Sequence, residues 1–223
     1  RLLGAFNYPV VDWLDMGCYL EYIDRDGQYQ LLCLSHSGFA PLGRSTRFML
    51  REERFHVGWG RTALKRVILA QRVPVDTLQR YMNLWMPGGM DLFGNDGSKS
   101  SVWAYERGLK GRPYEMQNLR QTGQLIGDAR EALNGIARSA YFADVSKQVE
   151  AYNLLLAKQG RRQLIVPSEK FNRKFGDYRE QRWTLEGDHE LSVEEYPAYL
   201  AANLPTPADR ALIQDLQLHE QYT

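Results

Sequence analysis

Apolar residues recur every three or four positions in the first third of the chain, which is the spacing of amphipathic helices. One such pattern covers residues 10–37, between Pro9 and Gly38, and a second covers residues 43–72, before Pro74. Because the connection between them is short, we expect an antiparallel pair of helices, each about 40 Å long. A long helical hairpin of this kind is typical of half of a four-helix bundle.

The pattern after this hairpin is less regular. It predicts a third helix over residues 76–85, an irregular glycine-rich loop over residues 86–100, and helices near 102–109, 114–137 and 142–158. The glycines and the proline of the 86–100 stretch are the reason for expecting a loop there.

The end of the chain, residues 161–223, contains short β-prone stretches, proline and glycine. We expect an irregular tail with a possible hairpin and a short helix over 207–217. The protein is therefore predicted to be mainly α. The hairpin and loop occupy residues 1–100, and residues 101–160 add further helices.

The composition is that of an ordinary globular protein, with 223 residues, 43% of them hydrophobic, and a net charge of +1. This charge argues against a nucleic-acid-binding protein that depends mainly on phosphate contacts. No apolar run approaches the ~20 residues of a membrane span, so we expect no membrane association. Cys18 and Cys33 have no CxxC partner, which favours a reducing, cytoplasmic setting. Since the chain begins with Arg1 rather than Met, we expect that its natural start has been trimmed.

The small net charge of the chain conceals two adjacent segments of opposite charge. Residues 1–43 have two basic and five acidic residues, a net of −3, whereas residues 44–72 have eight and two, a net of +6. Complementary solvated faces of two packed helices would explain this division. The alternative is a basic ridge on the second helix that binds an anionic ligand or partner, with Arg47, Arg51 and Arg61 as candidates.

Glu53 and His56 form a Glu-x-x-His motif, whose i, i+3 spacing places both side chains on nearly one helical face. The same spacing predicts that this face is buried and otherwise apolar, with Met49, Gly60, Ala63 and Val67. A buried carboxylate and imidazole need polar partners. A metal ion is one such partner, and hydrogen bonds from neighbouring arginines without a metal are the alternative.

The first helix offers a third ligand at the same height. Asp24 precedes residue 40, the middle of the connection, by sixteen residues, and Glu53 and His56 follow it by thirteen and sixteen. One carboxylate plus Glu-x-x-His from two helices is half of the ligand set of a carboxylate-bridged di-iron bundle. Oxygen and imidazole ligands suit iron or manganese. The sequence therefore predicts a metal site of Asp24, Glu53 and His56.

Other acidic residues are weaker candidates. Glu21 and Asp26 point further round the first helix, and a second Glu-x-x-His, at residues 186–189, contains a glycine and is expected in a surface turn. Glu52 shares an aromatic face that we expect to pack in a core or between helices: Phe48, Phe55 and Trp59.

With these residues, the chain resembles the C-terminal half of the oxygenase components of benzoyl-CoA 2,3-epoxidases. These are relatives of the phenylacetyl-CoA epoxidase catalytic subunit in the di-iron ferritin-like family. The resemblance rests on YIDRDGQYQ, on LREERFHVGWGR, on the 29-residue step from Asp24 to Glu53, and on the PGGMDLFG and PSEKFNRKFGDY segments. It implies a ferritin-like bundle whose second half lies in residues 1–100.

The resemblance also implies an activity. The family epoxidises the aromatic ring of an aryl-CoA thioester with dioxygen, and a flavin and iron–sulfur reductase supplies electrons from NADPH. Asp24, Glu53 and His56 would be ligands of two irons, with Glu53 bridging them. The family's other carboxylate and its first Glu-x-x-His are absent from these 223 residues. We therefore expect an N-terminal half to supply the remaining ligands, and this chain alone to be inactive.

Two other functions stay open. The chain could be a non-catalytic ferritin-like subunit that scaffolds a catalytic partner, although the intact Asp24, Glu53 and His56 argue against this. It could also belong to a different di-iron oxygenase with the same bundle, such as an N-oxygenase. Substrate-binding residues would distinguish that enzyme, and the sequence does not identify them.

Overall fold

The computed structural model describes residues 4–111, 113 and 133–220, and these are mainly helical, as predicted. Within those ranges there are isolated β-bridges but no strand, and no helix has the length and apolarity needed to cross a bilayer. After a 3-10 turn at Gly4–Asn7, the helical segments are α1 (Trp13–Cys18), a π-helical segment (Tyr19–Ile23), α2 (Asp24–Ser35), α3 (Ala40–Ala70), α4 (Val75–Leu92), α5 (Lys99–Glu106), α6 (Leu133–Lys158), α7 (Tyr196–Asn203) and α8 (Pro207–Glu220).

The predicted hairpin is present. α1, the π segment and α2 follow one another without a break and form its first helix, and α3 packs against all three. The carboxylate of Asp12 accepts hydrogen bonds from the N–H groups of Leu14 and Asp15, which caps the start of α1. Pro41 occupies the first turn of α3, where its missing N–H costs nothing.

Small residues let these two long helices approach each other closely. A Cβ atom added to Gly60 would lie 2.5 Å from the backbone N of Glu21, and one added to Gly17 would lie 3.8 Å from the Ala63 Cβ. The first distance is too short for any side chain, so α3 touches the backbone of the π segment at Gly60. These contacts hold the hairpin in one antiparallel register.

The buried stripe of α3 is displaced from the predicted one. Met49 and His56 are exposed, and Ala63 is half-buried, so they lie at the edge of the interface with the first helix. A 3–4 spacing fits either of two overlapping stripes, and only the packing partner selects between them. The residues buried against the first helix and the core are Thr46, Leu50, Val57, Gly60, Leu64 and Val67.

The aromatic face of α3 is also placed differently. Phe48, Phe55 and Trp59 were expected to pack, but their exposed fractions are 66%, 68% and 61%. The prediction that they are core residues is therefore wrong for the described part of the chain.

The glycine-rich stretch begins as helix rather than loop, because α4 continues through Pro87 to Leu92. The reason is close packing: a Cβ atom on Gly89 would lie 2.5 Å from the Tyr141 hydroxyl and 2.7 Å from the Tyr22 carbonyl oxygen. Glycine is needed there to let the core approach the helix, and the loop prediction is wrong for residues 86–92.

The helices after α4 agree in part with those predicted from the sequence. α5 lies three residues before the helix predicted at 102–109, and the helix predicted at 142–158 begins earlier, at Leu133. Most of the helix predicted at 114–137 lies outside the described residues. In the tail, α8 confirms the predicted last helix. α7 was not predicted, because eight residues are too few to show a helical period. An antiparallel bridge joins Trp183 to Glu190 in the region where a hairpin was possible. The limits of the predicted domains stay a prediction.

α8 is fastened to the start of the hairpin by buried ion pairs. Arg210 contacts the carboxylates of Asp12 and Asp15, and its Nη1 lies 2.8 Å from Asp12 Oδ2. Asp209, which is also buried, accepts a hydrogen bond from Arg80 at 2.6 Å. These contacts hold the C-terminal helix beside α1 and α4.

We expect Gly60→Ala to destabilise the protein by about 1–3 kcal/mol, because the new methyl group would overlap the backbone of the π segment. Gly58→Ala is the matched control, since nothing lies within 4 Å of the added Cβ. Alanine has a higher helix propensity than glycine, so the Gly58→Ala variant should be more stable than wild type by up to about 1 kcal/mol. Denaturant unfolding measures both changes, and equal stabilities of the two variants would contradict the close contact at Gly60.

Candidate metal centre

The three predicted ligands come together across the hairpin. Asp24 is the first residue of α2, Glu53 and His56 lie in the middle of α3, and one ligand atom from each lies within 4.8 Å of the others. The matched height inferred from the sequence is therefore correct. Their role as metal ligands stays a prediction.

The imidazole and the two carboxylates face one another without a tight ion pair. His56 Nδ1 lies 3.5 Å from Asp24 Oδ2 and 3.8 Å from Glu53 Oε2. The hairpin shields the carboxylates, with exposed side-chain fractions of 14% for Asp24 and 22% for Glu53, but leaves 46% of the imidazole exposed. The cluster is thus half enclosed and open on the His56 side.

Close packing positions Glu53. A Cβ atom on Gly27, one turn after Asp24, would lie 3.1 Å from the Glu53 Cδ, and the Gln28 side chain donates a hydrogen bond to the Glu53 carbonyl oxygen. A larger residue at position 27 would push the Glu53 carboxylate away. The role of Gly27 was not predicted, although a helical glycine three residues after a candidate ligand was the available signal.

The π segment sets the direction of Asp24. The segment ends at Ile23. The N–H of the next residue, Asp24, donates to the carbonyl oxygen of Tyr19, five residues before Asp24. Such a wide turn inserts about one residue into the helix and rotates everything before it, and π segments are frequent at functional sites. No feature of the sequence predicted it.

Burial raises the pKa of both carboxyl groups, so they ionise less readily. Desolvation and the charge of Glu53 raise the pKa of Asp24 to about 7, while His56 acts in the opposite direction. The pKa of Glu53 is also raised, by desolvation and by Glu52, against the influence of His56. In addition, Glu53 Oε2 is buried and lacks a hydrogen-bond partner among the described residues. A further positive charge beside the two carboxylates would therefore stabilise the cluster.

Arginine does not supply that charge. Within the described ranges, the ion pairs of Asp24 and Glu53 are those with His56, and no arginine pairs with either carboxylate. Arg25, one residue after Asp24, instead binds Glu21 at 2.6 Å and Asp144 at 2.5 Å. The alternative of arginine hydrogen bonds without a metal is thus not found among the described residues.

The weaker candidates lie elsewhere. Glu21 is fully buried in its pair with Arg25, and Asp26 is buried without joining the cluster. His189, from the second Glu-x-x-His, is exposed beside Asp188, as expected for a surface turn.

Exposed apolar side chains lie on α3 within two turns of His56. Met49 is nearly half exposed, and Phe55 and Trp59 are mostly exposed. The Phe55 ring packs edge-on against the His56 ring at 6.2 Å. We call the surface of α3 that carries Met49, Phe55, His56 and Trp59 the open face. Exposed apolar surface of this kind commonly marks an interaction site.

Comparison with known proteins gives one curated relative. No family model matches the chain. The chain is similar to benzoyl-CoA oxygenase component B of Aromatoleum evansii, with 30% identity over 253 aligned positions that cover 97% of this chain and 53% of that protein. It therefore spans about half the length of this relative. The similarity agrees with the resemblance carried by the sequence motifs.

The metal-free protein should lose stability as the pH rises from about 4 to about 7. In that range Asp24 stays protonated in the folded state but ionises in the unfolded state, so the unfolded state binds fewer protons. Asp24→Asn removes this contribution. Denaturant unfolding in chelator at several pH values measures it, and the same pH dependence in wild type and Asp24→Asn would contradict the raised pKa.

Proposed function

We propose that this chain, a relative of benzoyl-CoA oxygenase component B, supplies half of the ligands of a di-iron centre. The complete oxygenase would epoxidise the aromatic ring of an aryl-CoA thioester, such as benzoyl-CoA, with dioxygen. The observation that carries the proposal is the cluster of Asp24, Glu53 and His56 in a chain related to an oxygenase component.

The residues fit iron by their chemistry. Carboxylate oxygens with an imidazole nitrogen are the ligands that non-haem iron prefers, and no thiolate lies among them. The unpartnered Glu53 Oε2 and the raised pKa of Asp24 both indicate a position that a cation would stabilise. When bound, the iron pair would supply the redox chemistry that activates dioxygen.

The protein residues have distinct tasks in this proposal. Asp24 and Glu53 would have to be ionised to act as ligands, and His56 would have to be neutral to offer a lone pair. Gly27 and Gly60 keep the two helices close enough for both carboxylates to reach one site. The apolar open face would limit the access of water once it is covered.

The remaining ligands would come from an N-terminal half, either of the same protein or as a separate chain. Two observations support this. The chain covers 53% of the relative, and the open face is apolar beside an imidazole that is 46% exposed. A second helix pair packed there would bury His56 and complete a four-helix bundle.

Electrons would come from a partner. The relative's name, component B, describes a multicomponent system. We propose a flavin and iron–sulfur reductase that draws on NADPH. A non-catalytic scaffold would need none of the three ligands, so their close approach favours the catalytic function.

Glu53→Ala and His56→Ala should each reduce the iron content of the complete gene product from about two per protein to near zero, because each removes a ligand. Glu52→Ala is the matched control, since this carboxylate is exposed one residue away and lies outside the cluster. Iron analysis with circular dichroism separates ligand loss from unfolding. Wild-type iron content in either ligand variant would overturn the assignment.

The complete gene product with its reductase should transfer one oxygen atom from dioxygen to benzoyl-CoA. Mass spectrometry after reaction under labelled dioxygen measures this incorporation. The Glu53→Ala variant should show none. Oxidation of an aryl amine, with benzoyl-CoA left unchanged, would instead establish the N-oxygenase alternative.

A further inference from the structure

A groove lies where the C-terminal end of α3 meets α1 and α8. Its volume is about 440 Å³, within the range of small-molecule sites. The sequence analysis did not identify it. Its lining combines apolar side chains with two guanidinium groups: Trp13, Val67, Ala70 and Leu216 with Arg66 and Arg72. We call it the α3-end groove.

The groove lies along the same side of the hairpin as the candidate metal centre. His56, Ala63 and Ala70 follow one another at intervals of seven residues, or about two turns, so they share one side of α3. On the first helix, Gly17 lies beside Ala63, which brings Trp13 to the level of Val67 in the antiparallel register. From His56 to Arg66 the rise along α3 is about 15 Å.

The lining is suited to an anion that also carries an aromatic ring. Arg66 is exposed and makes no ion pair within the described ranges, so its charge is available to a ligand. The Trp13 indole is held in place because its Nε1–H donates to the Ile213 carbonyl oxygen at 3.0 Å. Arginine binds phosphates, and an indole provides a surface for a base to stack on.

We infer that the α3-end groove binds the nucleotide end of the CoA thioester, with its phosphates at Arg66 and its adenine against Trp13. The pantetheine arm, comparable to an extended chain of four or five residues, spans roughly 15 Å. That length matches the distance along α3 to the metal cluster, so the acyl end would reach the open face at His56. This inference rests on the proposed function, which supplies the substrate class.

The basic ridge is less suited to this task. Arg47 precedes His56 by nine residues, which is two and a half turns, so the two lie on opposite sides of α3. A single ligand that contacts Arg47 would have to pass around the helix to reach the metal cluster. Arg66, in contrast, lines a cavity on the same side of α3 as His56.

Titration calorimetry of coenzyme A into the metal-free complete gene product tests the inference. We expect Arg66→Glu to weaken binding at least tenfold, because it replaces an attractive charge with a repulsive one. Ala70→Trp should also weaken it at least tenfold by filling the groove without a change of charge. Arg47→Glu is the matched control, exposed on the same helix, and should change the affinity less than twofold.

The outcomes separate this inference from the proposed function. If wild type binds coenzyme A and both groove variants bind it equally well, the groove assignment is overturned while the function stands. If Arg47→Glu weakens binding and Arg66→Glu does not, the ridge is the binding surface and the groove is again excluded. If wild type binds no coenzyme A, the proposed substrate class itself fails. Melting temperatures of the variants confirm that each is folded.

Discussion

The direct contact between α3 and the first helix of the hairpin determines the geometry of the carboxylate cluster. At Gly60 the backbone of α3 touches the backbone of the π segment, and at Gly27 the backbone of α2 touches the Glu53 carboxylate. Side chains at these positions would hold the helices apart by the width of a methyl group or more. Because of these contacts, two carboxylates on different helices share one small volume, although mutual repulsion and desolvation oppose it.

Two groups of acids in the same hairpin differ in their counter-charges. Glu21 is fully buried, and the Arg25 guanidinium binds one of its oxygens at 2.6 Å and also contacts Asp144. Asp24 and Glu53 are less buried, and their ion-pair partner among the described residues is the His56 imidazole, at 3.5 and 3.8 Å. A guanidinium in direct contact therefore compensates the first carboxylate, whereas the second pair has a weaker and more distant counter-charge.

The sequence predicted the height of the cluster because the rise of a helix is constant. Equal distances from the hairpin connection therefore place Asp24 opposite His56 whatever the side chains do. Rotation about the helix axis is less constrained: a 3–4 apolar spacing allowed a stripe through His56, whereas packing selected Leu50, Val57 and Leu64. The π segment was not predicted either, because no residue pattern in Tyr19–Ile23 distinguishes it from an α-helix. Glycine content was equally ambiguous at Gly89, where close packing and not chain flexibility requires it.

The different sides of α3 have different surroundings. One side is buried against the first helix, and the side between this buried stripe and the aromatic residues presents His56, Ala63 and Ala70. The basic ridge lies on the side opposite His56. The carboxylates are fixed by packing within the hairpin, so their positions do not require a partner. The imidazole and the groove at Arg66 lie on the uncovered side, so their surroundings depend on what binds there. Under the proposed function, a second helix pair at the middle of this side would enclose Asp24, Glu53 and His56 and leave the Arg66 end accessible from the edge. A long thioester could then enter with its acyl group first and keep its charged end at the surface.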